Sequence, residues 1–220
     1  MTTWVPLAGE KVQLYSPVGL RLVDEMTGQP PLGSVQASLD IQDANGNWRP
    51  TDIPAVLTPS AVVSYPGLER HATVTGLPNR TYRVRLAADF YIPYYLTNSA
   101  GIQFTAYPYN DSTPPSTVVS LATDAPLLPA PNYPFASHIP VLRGVVVDAN
   151  GDAVQNVYVT QGATERALTD SRGTFALPLR WVQPNALVVI DATDQYTGRT
   201  GTISAQLPGA LNTNQTITIN

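Results

Sequence analysis

Cysteine is absent from the 220-residue chain, which excludes disulfides, thiolate metal sites and cysteine nucleophiles. Histidine occurs only as His71 and His138, so a three-histidine metal site cannot form. Charge is scarce: 13% of residues are Asp, Glu, Lys or Arg, about half the usual share. Lys11 is the sole lysine among twelve basic residues, and the arginines stand singly, with no stripe that could follow a phosphate backbone. With a net charge of −4, nucleic acid is not expected as a partner. Long apolar runs are also missing. Leu187-Val-Val-Ile190 falls far short of the roughly 20 residues that span a bilayer. The opening stretch lacks the basic and apolar regions of a secretory signal. The expectation is a protein made in the bacterial cytoplasm, with no signal peptide, no transmembrane segment and no membrane partner.

What is present is a strand signal along the whole chain, without a competing helical period. Twenty-one prolines and fifteen glycines are too many for a helix bundle and too few for a collagen-like or disordered chain. Val18-Gly-Leu-Arg-Leu-Val-Asp24 and Val35-Gln-Ala-Ser-Leu-Asp-Ile41 alternate apolar and polar residues. The stretch 81–87 alternates more cleanly, which predicts Tyr82, Val84 and Leu86 on one face and Arg83 and Arg85 on the other. Turn signals separate these segments, at Thr27–Pro31, Ala44–Asn47 and Leu77–Asn79. Short strands at this spacing predict a sandwich or barrel.

The second half repeats the style. Strands are expected over 142–148, 156–160, 166–169, 174–177, 186–191, 199–203 and 215–219, enough for a small sandwich. The two halves also resemble each other: 21–30 ahead of 33–39 reads like 144–154 ahead of 157–160. Duplication and shared turn chemistry both account for that.

Between them, residues 107–140 hold eight prolines, and a proline-rich stretch should be extended rather than helical. The expected organisation is an N-terminal arm over 1–17, a first sandwich over 18–124, a semi-rigid spacer over 125–139 and a second sandwich over 140–220. Val118-Val-Ser-Leu121 reads as a last strand of the first domain. The arm carries Trp4, Val5, Leu7 and Tyr15, apolar residues suited to packing on a neighbouring subunit.

Gly144-Val-Val-Val-Asp148, Asn150-Gly151, Ala153-Val154, Val157, Thr169-Asp170 and Gly173-Thr-Phe175 together resemble the carboxypeptidase-regulatory-like domain, a transthyretin-type β-sandwich. That resemblance implies tight turns at Gly151 and at Asp170 to Gly173, with Phe175 and Leu177 in the core. The stretch Gly76 to Pro93 is similar to the closing pattern of a divergent relative, of the broad group that includes CnaB-type adhesin modules. Such modules often carry a Lys–Asn crosslink, for which Lys11 is the sole lysine and lies outside the strand pattern. Two such sandwiches in series resemble accessory proteins of tailed phages and contractile injection systems.

Candidate sites are few. Asp148-Ala-Asn150-Gly-Asp152 has the alternating oxygen spacing of a calcium loop, but it lacks the downstream bidentate Glu, and the segment is read as a hairpin turn rather than a metal site. No nucleophile-elbow or zinc-protease motif accompanies His71 or His138, and both are read as surface or packing residues. Neither a metal nor a cofactor is expected. The run Phe90-Tyr-Ile-Pro-Tyr-Tyr95 is the most unusual composition. Tyr91, Tyr94 and Tyr95 offer rings with one wet end, which suit core cover, a protein interface or glycan stacking. The functional expectation is an all-β, two-sandwich, non-enzymatic subunit. It would bind other protein subunits in a homo- or hetero-oligomeric assembly, a virion or phage-like particle. The alternative is a carbohydrate-binding or adhesive module at a bacterial surface.

Overall fold

The computed structural model describes residues 14–115 and 122–220. Trp4, Val5, Leu7, Lys11 and the expected strand at 118–121 therefore lie outside the described residues. The chain is all-β: among the described residues the only helical elements are two short 3-10 turns, Tyr94–Thr97 and Gly209–Asn212. Up to residue 129 the strands are β1 (Gly19–Asp24), β2 (Val35–Gln42), β3 (Trp48–Pro50), β4 (Val56–Leu57), β5 (Val62–Ser64), β6 (Arg80–Ala88), β7 (Tyr91–Pro93), β8 (Ile102–Ala106) and β9 (Thr123–Pro129). After it come β10 (Val141–Asp148), β11 (Tyr158–Gln161), β12 (Glu165–Leu168), β13 (Thr174–Pro178), β14 (Leu187–Thr193), β15 (Thr200–Gln206) and β16 (Gln215–Ile219).

Two compact units arise. One takes the described parts of Met1–Arg21, Ser38–Val84 and Gln103–Thr123; the other takes Leu22–Ala37, Arg85–Ile102 and Asp124–Asn220. These differ from the divisions expected at 18–124 and 140–220, because segments 22–37 and 85–102 group with the later part of the chain.

In the first unit β4, β5 and the opening half of β1 lie side by side, with Leu20 opposite Val63 and Leu57 opposite Val63 on its other side. A second sheet runs in the order β3-β2-β6-β8. Tyr82 and Val84 of β6 face inward with Leu20, Leu39, Val63 and Ala106, as the alternation predicts. Arg83 lies on the other face, 2.6 Å from Asp40 and stacked 4.6 Å over the Trp48 ring. Tyr15 also belongs here: its ring meets Tyr109 edge-on at 5.3 Å, and its carbonyl accepts from Gly67 N at 2.9 Å. The residue expected to serve an outward-reaching arm is thus bound within its own unit.

In the second unit β9 lies between the end of β1 and β7, pairing Tyr91 with Pro129 and Pro93 with Leu127. Residues 125–129, expected as the start of a spacer, are therefore a strand. Proline removes only a donor, and Leu127 O still accepts from Glu25 N at 3.1 Å. Burial of Leu127, Leu128, Ala130 and Tyr133 outweighs the proline density.

The rest of this unit is a β-sandwich of seven strands, in sheets β13-β10-β16 and β12-β11-β14-β15. Leu142, Val146, Phe175, Leu177 and Ile217 from one sheet pack against Val159, Val188, Ile190 and Ala205 from the other. First and last strands run parallel, with Gly144 opposite Gln215 and Val146 opposite Ile217. Gly144 permits that approach: a Cβ there would lie 2.4 Å from Gln215 O and 2.7 Å from the Phe175 ring.

Two turn designs recur. Asp43, Asp148 and Asp170 each begin a D-x-x-G turn, with Oδ1 accepting two backbone N–H groups. Asp24 and Asp194 each begin a D-x-x-T-G turn. There the threonine hydroxyl donates to the aspartate, at 2.9 Å from Thr27 and 2.6 Å from Thr197, and the glycine N reaches the aspartate carbonyl at 2.7 Å in both. The stretches 21–30 and 144–154, alike in sequence, thus close their turns by different designs, D-x-x-T-G at Asp24 and D-x-x-G at Asp148.

In the Asp148 turn, hydrogen bonds from the Asp152 and Asn150 backbones hold the carboxyl below the usual carboxylate range. Its inner oxygen is occupied by Asn150 N at 2.8 Å and Asp152 N at 3.0 Å, which suits a turn rather than a calcium loop. Chelator treatment is expected to leave the melting temperature unchanged. A calcium-dependent rise of several degrees would make the segment a metal site.

Candidate functional site

The most built polar centre lies in the first unit, at the turn after β5. Gly67 and Glu69 both take left-handed backbone conformations, with φ +85° and +63°. For a glutamate this costs about 1–2 kcal/mol, so something must hold it. Three groups do. Tyr82 donates its hydroxyl to Glu69 Oε1 in a short hydrogen bond, His71 Nε2 lies 2.7 Å from Oε2, and Arg80 Nη1 lies 3.6 Å from Oε1. The Glu69 side chain is 3% exposed and the His71 side chain 32%. Because a carboxylate only accepts, the imidazole hydrogen sits on Nε2, which leaves Nδ1 as the second ring nitrogen. Backbone bonds fix the frame: His71 N donates to Tyr109 O at 2.9 Å and Tyr109 N to Glu69 O at 3.0 Å.

Beside the turn lies an open cleft of about 320 Å³, whose lining includes Ile53, Pro66, Leu68, Glu69, His71, Arg80 and Tyr82. A second cleft of about 330 Å³ shares Arg70 and His71 and adds Asn110, Asp111 and Ser112. Arg70 forks onto Asp111, with bonds of 2.7 and 3.3 Å. Among the described residues no three acidic or histidine side chains gather as a metal site.

The sequence signal for this centre is slight. Glu69-Arg70-His71 places two of its groups two residues apart, but Tyr82 reads only as a core position of β6. Arg80 reads as the polar start of the strand.

The aromatic run is placed differently from a row of open rings. Tyr91 is buried; its hydroxyl accepts from Leu32 N at 2.9 Å and donates to Asp24 at 3.2 Å. Tyr94 is half-buried under the Arg166 guanidinium, 4.7 Å from its ring, and meets Tyr158 edge-on at 6.0 Å. Tyr95 Oη accepts from Leu86 N at 2.7 Å. Arg166 also forms a short ion pair with Glu25, and beside it Arg180 forks onto the buried Glu165 at 3.1 Å while donating to Met26 O. These groups fix one another. Of the remaining expected interaction residues Tyr15 packs on Tyr109; His138, read as a surface or packing residue, is exposed.

Several phenols are held neutral. Burial, with the Asp40 charge nearby, pushes Tyr65 up to about 12. Burial and Glu69 raise Tyr82, and burial and Asp24 raise Tyr133. The folded chain keeps these protons where the unfolded chain, with phenols near pH 10, releases them. Stability is therefore full below about pH 10 and is lost as pH rises towards the folded values. Phenolate absorbance is expected to show a cooperative step above about pH 10 that coincides with loss of the β signal in circular dichroism. Titration of all eleven tyrosines together near pH 10 would contradict this.

Fold and centre thus define an all-β protein of sandwich type with a strained, hydrogen-bonded glutamate beside a solvent cleft. No family model and no curated protein matches the chain. Among solved structures it is similar to BcpA, the major pilin subunit of Bacillus cereus, with a TM-score of 0.27 and 6% identity over 94% of this chain and 69% of that one. Among the described residues no helix is long and apolar enough to cross a membrane.

Proposed function

We propose that the protein is a non-enzymatic structural subunit that binds other protein subunits of a larger assembly. The observation that supports this is exposed apolar surface in the second unit. Trp181 is 75% exposed, and Leu187 and Val189 turn outward from β14 at 64% and 48%. Each such side chain left in water forgoes about 1.5–3 kcal/mol, and tryptophan is enriched among interface hot spots. Leu187 pairs across the sheet with Gln206 and Val189 with Ser204, so polar groups flank the apolar pair as they do in an interface rim.

The assembly we favour is a phage or phage-like contractile tail, with the chain as a baseplate, tail or decoration component of the particle. Support for that reading is architectural: short-stranded sandwich modules, the second carrying the carboxypeptidase-regulatory-like pattern from Gly144 to Leu177. The double variant Trp181→Ala/Leu187→Ser is expected to keep the wild-type melting temperature within a few degrees, because both side chains are exposed. It should nevertheless lose association with partner subunits in sedimentation velocity and in affinity purification from the source cells. Recovery of tail-sheath and baseplate proteins with the wild type alone would support the assignment to a tail. A wild-type chain that sediments as a monomer and recovers no partner would overturn the reading.

A further inference from the structure

We propose that the cleft beside Glu69 is a binding site for a small carboxylate of monosaccharide or amino-acid size, held by the guanidinium of Arg80. At about 320 Å³ the cleft lies at the lower end of small-molecule sites. Its charges are unequally committed. Both Glu69 oxygens already accept, from Tyr82 and His71, and the carboxylate is buried. Arg70 is fully engaged, with two bonds to Asp111. Arg80 is less committed: it bonds the Tyr82 hydroxyl and approaches Glu69 at 3.6 Å, beyond hydrogen-bond length, while its side chain stays 46% exposed and keeps further N–H donors for a ligand. Its planar fork of donors matches a carboxylate bidentately.

Part of the lining is apolar. Ile53, 40% exposed, stands with Pro66 and the buried Leu68, and would cover the body of a ligand whose acid end meets Arg80. His71, fixed by Glu69, adds a second polar group at the rim. The left-handed Glu69 backbone aims its carboxylate at His71, and strain of this kind collects where a site is pre-organised. This site is separate from the exposed apolar surface of the second unit and stands or falls independently of it.

Titration of the ¹⁵N-labelled full chain with D-glucuronate, with butyrate and with methyl glucoside tests the proposal. Saturable shifts of the Leu68, Glu69 and His71 amides are expected with the acids, with a dissociation constant on the order of 1 mM for ligands this small. Methyl glucoside should produce none. Arg80→Met should abolish the ligand-induced shifts; in the ligand-free variant, resonances outside the Glu69 turn should stay in place, because the Arg80 side chain is 46% exposed. Arg80→Lys keeps the charge without the fork and should weaken binding about tenfold; it serves in its stead if Arg80→Met does not fold. Tighter binding of glucuronate than of butyrate would assign a sugar acid, and the reverse a simple aliphatic acid; either supports the site. Absence of shifts with both acids, equal shifts with methyl glucoside, or undiminished binding to folded Arg80→Met and Arg80→Lys would overturn it.

Discussion

Gly144→Ala is expected to lower the melting temperature of the second sandwich by about 10 °C or more, or to prevent it from folding. The added Cβ would stand 2.4 Å from Gln215 O and 2.7 Å from Phe175 Cζ, both within contact limits that real Cβ atoms do not reach. A side-chain tip can rotate away, but Gln215 O belongs to the backbone of β16, which pairs in parallel with β10 over five residues, from Gly144↔Gln215 to Asp148↔Ile219. Overpacking usually costs about 1–3 kcal/mol. Displacing a paired strand puts this case at the top of that range or above it, and each kcal/mol is worth about 2–4 °C in a chain of this size. The companion variant Gly144→Ala/Phe175→Leu separates the two clashes. It should recover only the part due to the ring, since the carbonyl remains. Calorimetry showing Gly144→Ala within 2 °C or so of wild type would mean that β16 does not pack against Gly144 as described.

Asp24→Ala is expected to destabilise the second unit by about 2–4 kcal/mol, since a buried donor left unsatisfied costs about 1–3 kcal/mol and the turn bonds are lost besides. The Asp24 carboxylate accepts from Met26 N at 2.8 Å, Thr27 Oγ1 at 2.9 Å, Tyr133 Oη at 2.9 Å and Tyr91 Oη at 3.2 Å. Its removal takes their shared carboxylate from two buried phenols, which can then bond only each other, and unties the D-x-x-T-G turn. Asp24→Asn keeps one acceptor oxygen and should cost less than half as much. Asp194, in the matching turn, accepts from Thr197 and Arg199 and has no phenol above it. Asp194→Ala should therefore be the milder of the two alanine variants. Chemical denaturation of the three variants orders them; an Asp24→Ala chain as stable as Asp194→Ala would show that the tyrosine bonds contribute nothing.

The seven strands of the second sandwich were legible in the sequence because each is a short apolar or alternating run bounded by turn residues. Phe175 and Leu177 are fully buried, and the turns at Asp148 and Asp170 sit where Asp and Gly three residues apart place them. Tyr82 and Val84 were legible as inward residues of β6 for the same reason. Strand 123–129 was not: its prolines imitate a spacer, and only the neighbours β1 and β7 make burial of Leu127 and Leu128 worth the missing donors.

The tyrosine run divides along the same line. Composition established that rings with polar ends were present, whereas the positions of Asp24, Arg166 and the Leu86 amide decided that their hydroxyls and faces would be engaged internally. The Glu69 centre was almost wholly a product of the tertiary structure. It assembles residues from positions 69, 71, 80 and 82, and its strained backbone is held by bonds from a neighbouring strand. Local sequence by itself determined the all-β class, the strand faces and the turns, because those depend on side-chain alternation and on what a few residues can do to their own backbone. Which buried acid meets which phenol depends on contacts distant in sequence, and only the fold decided it.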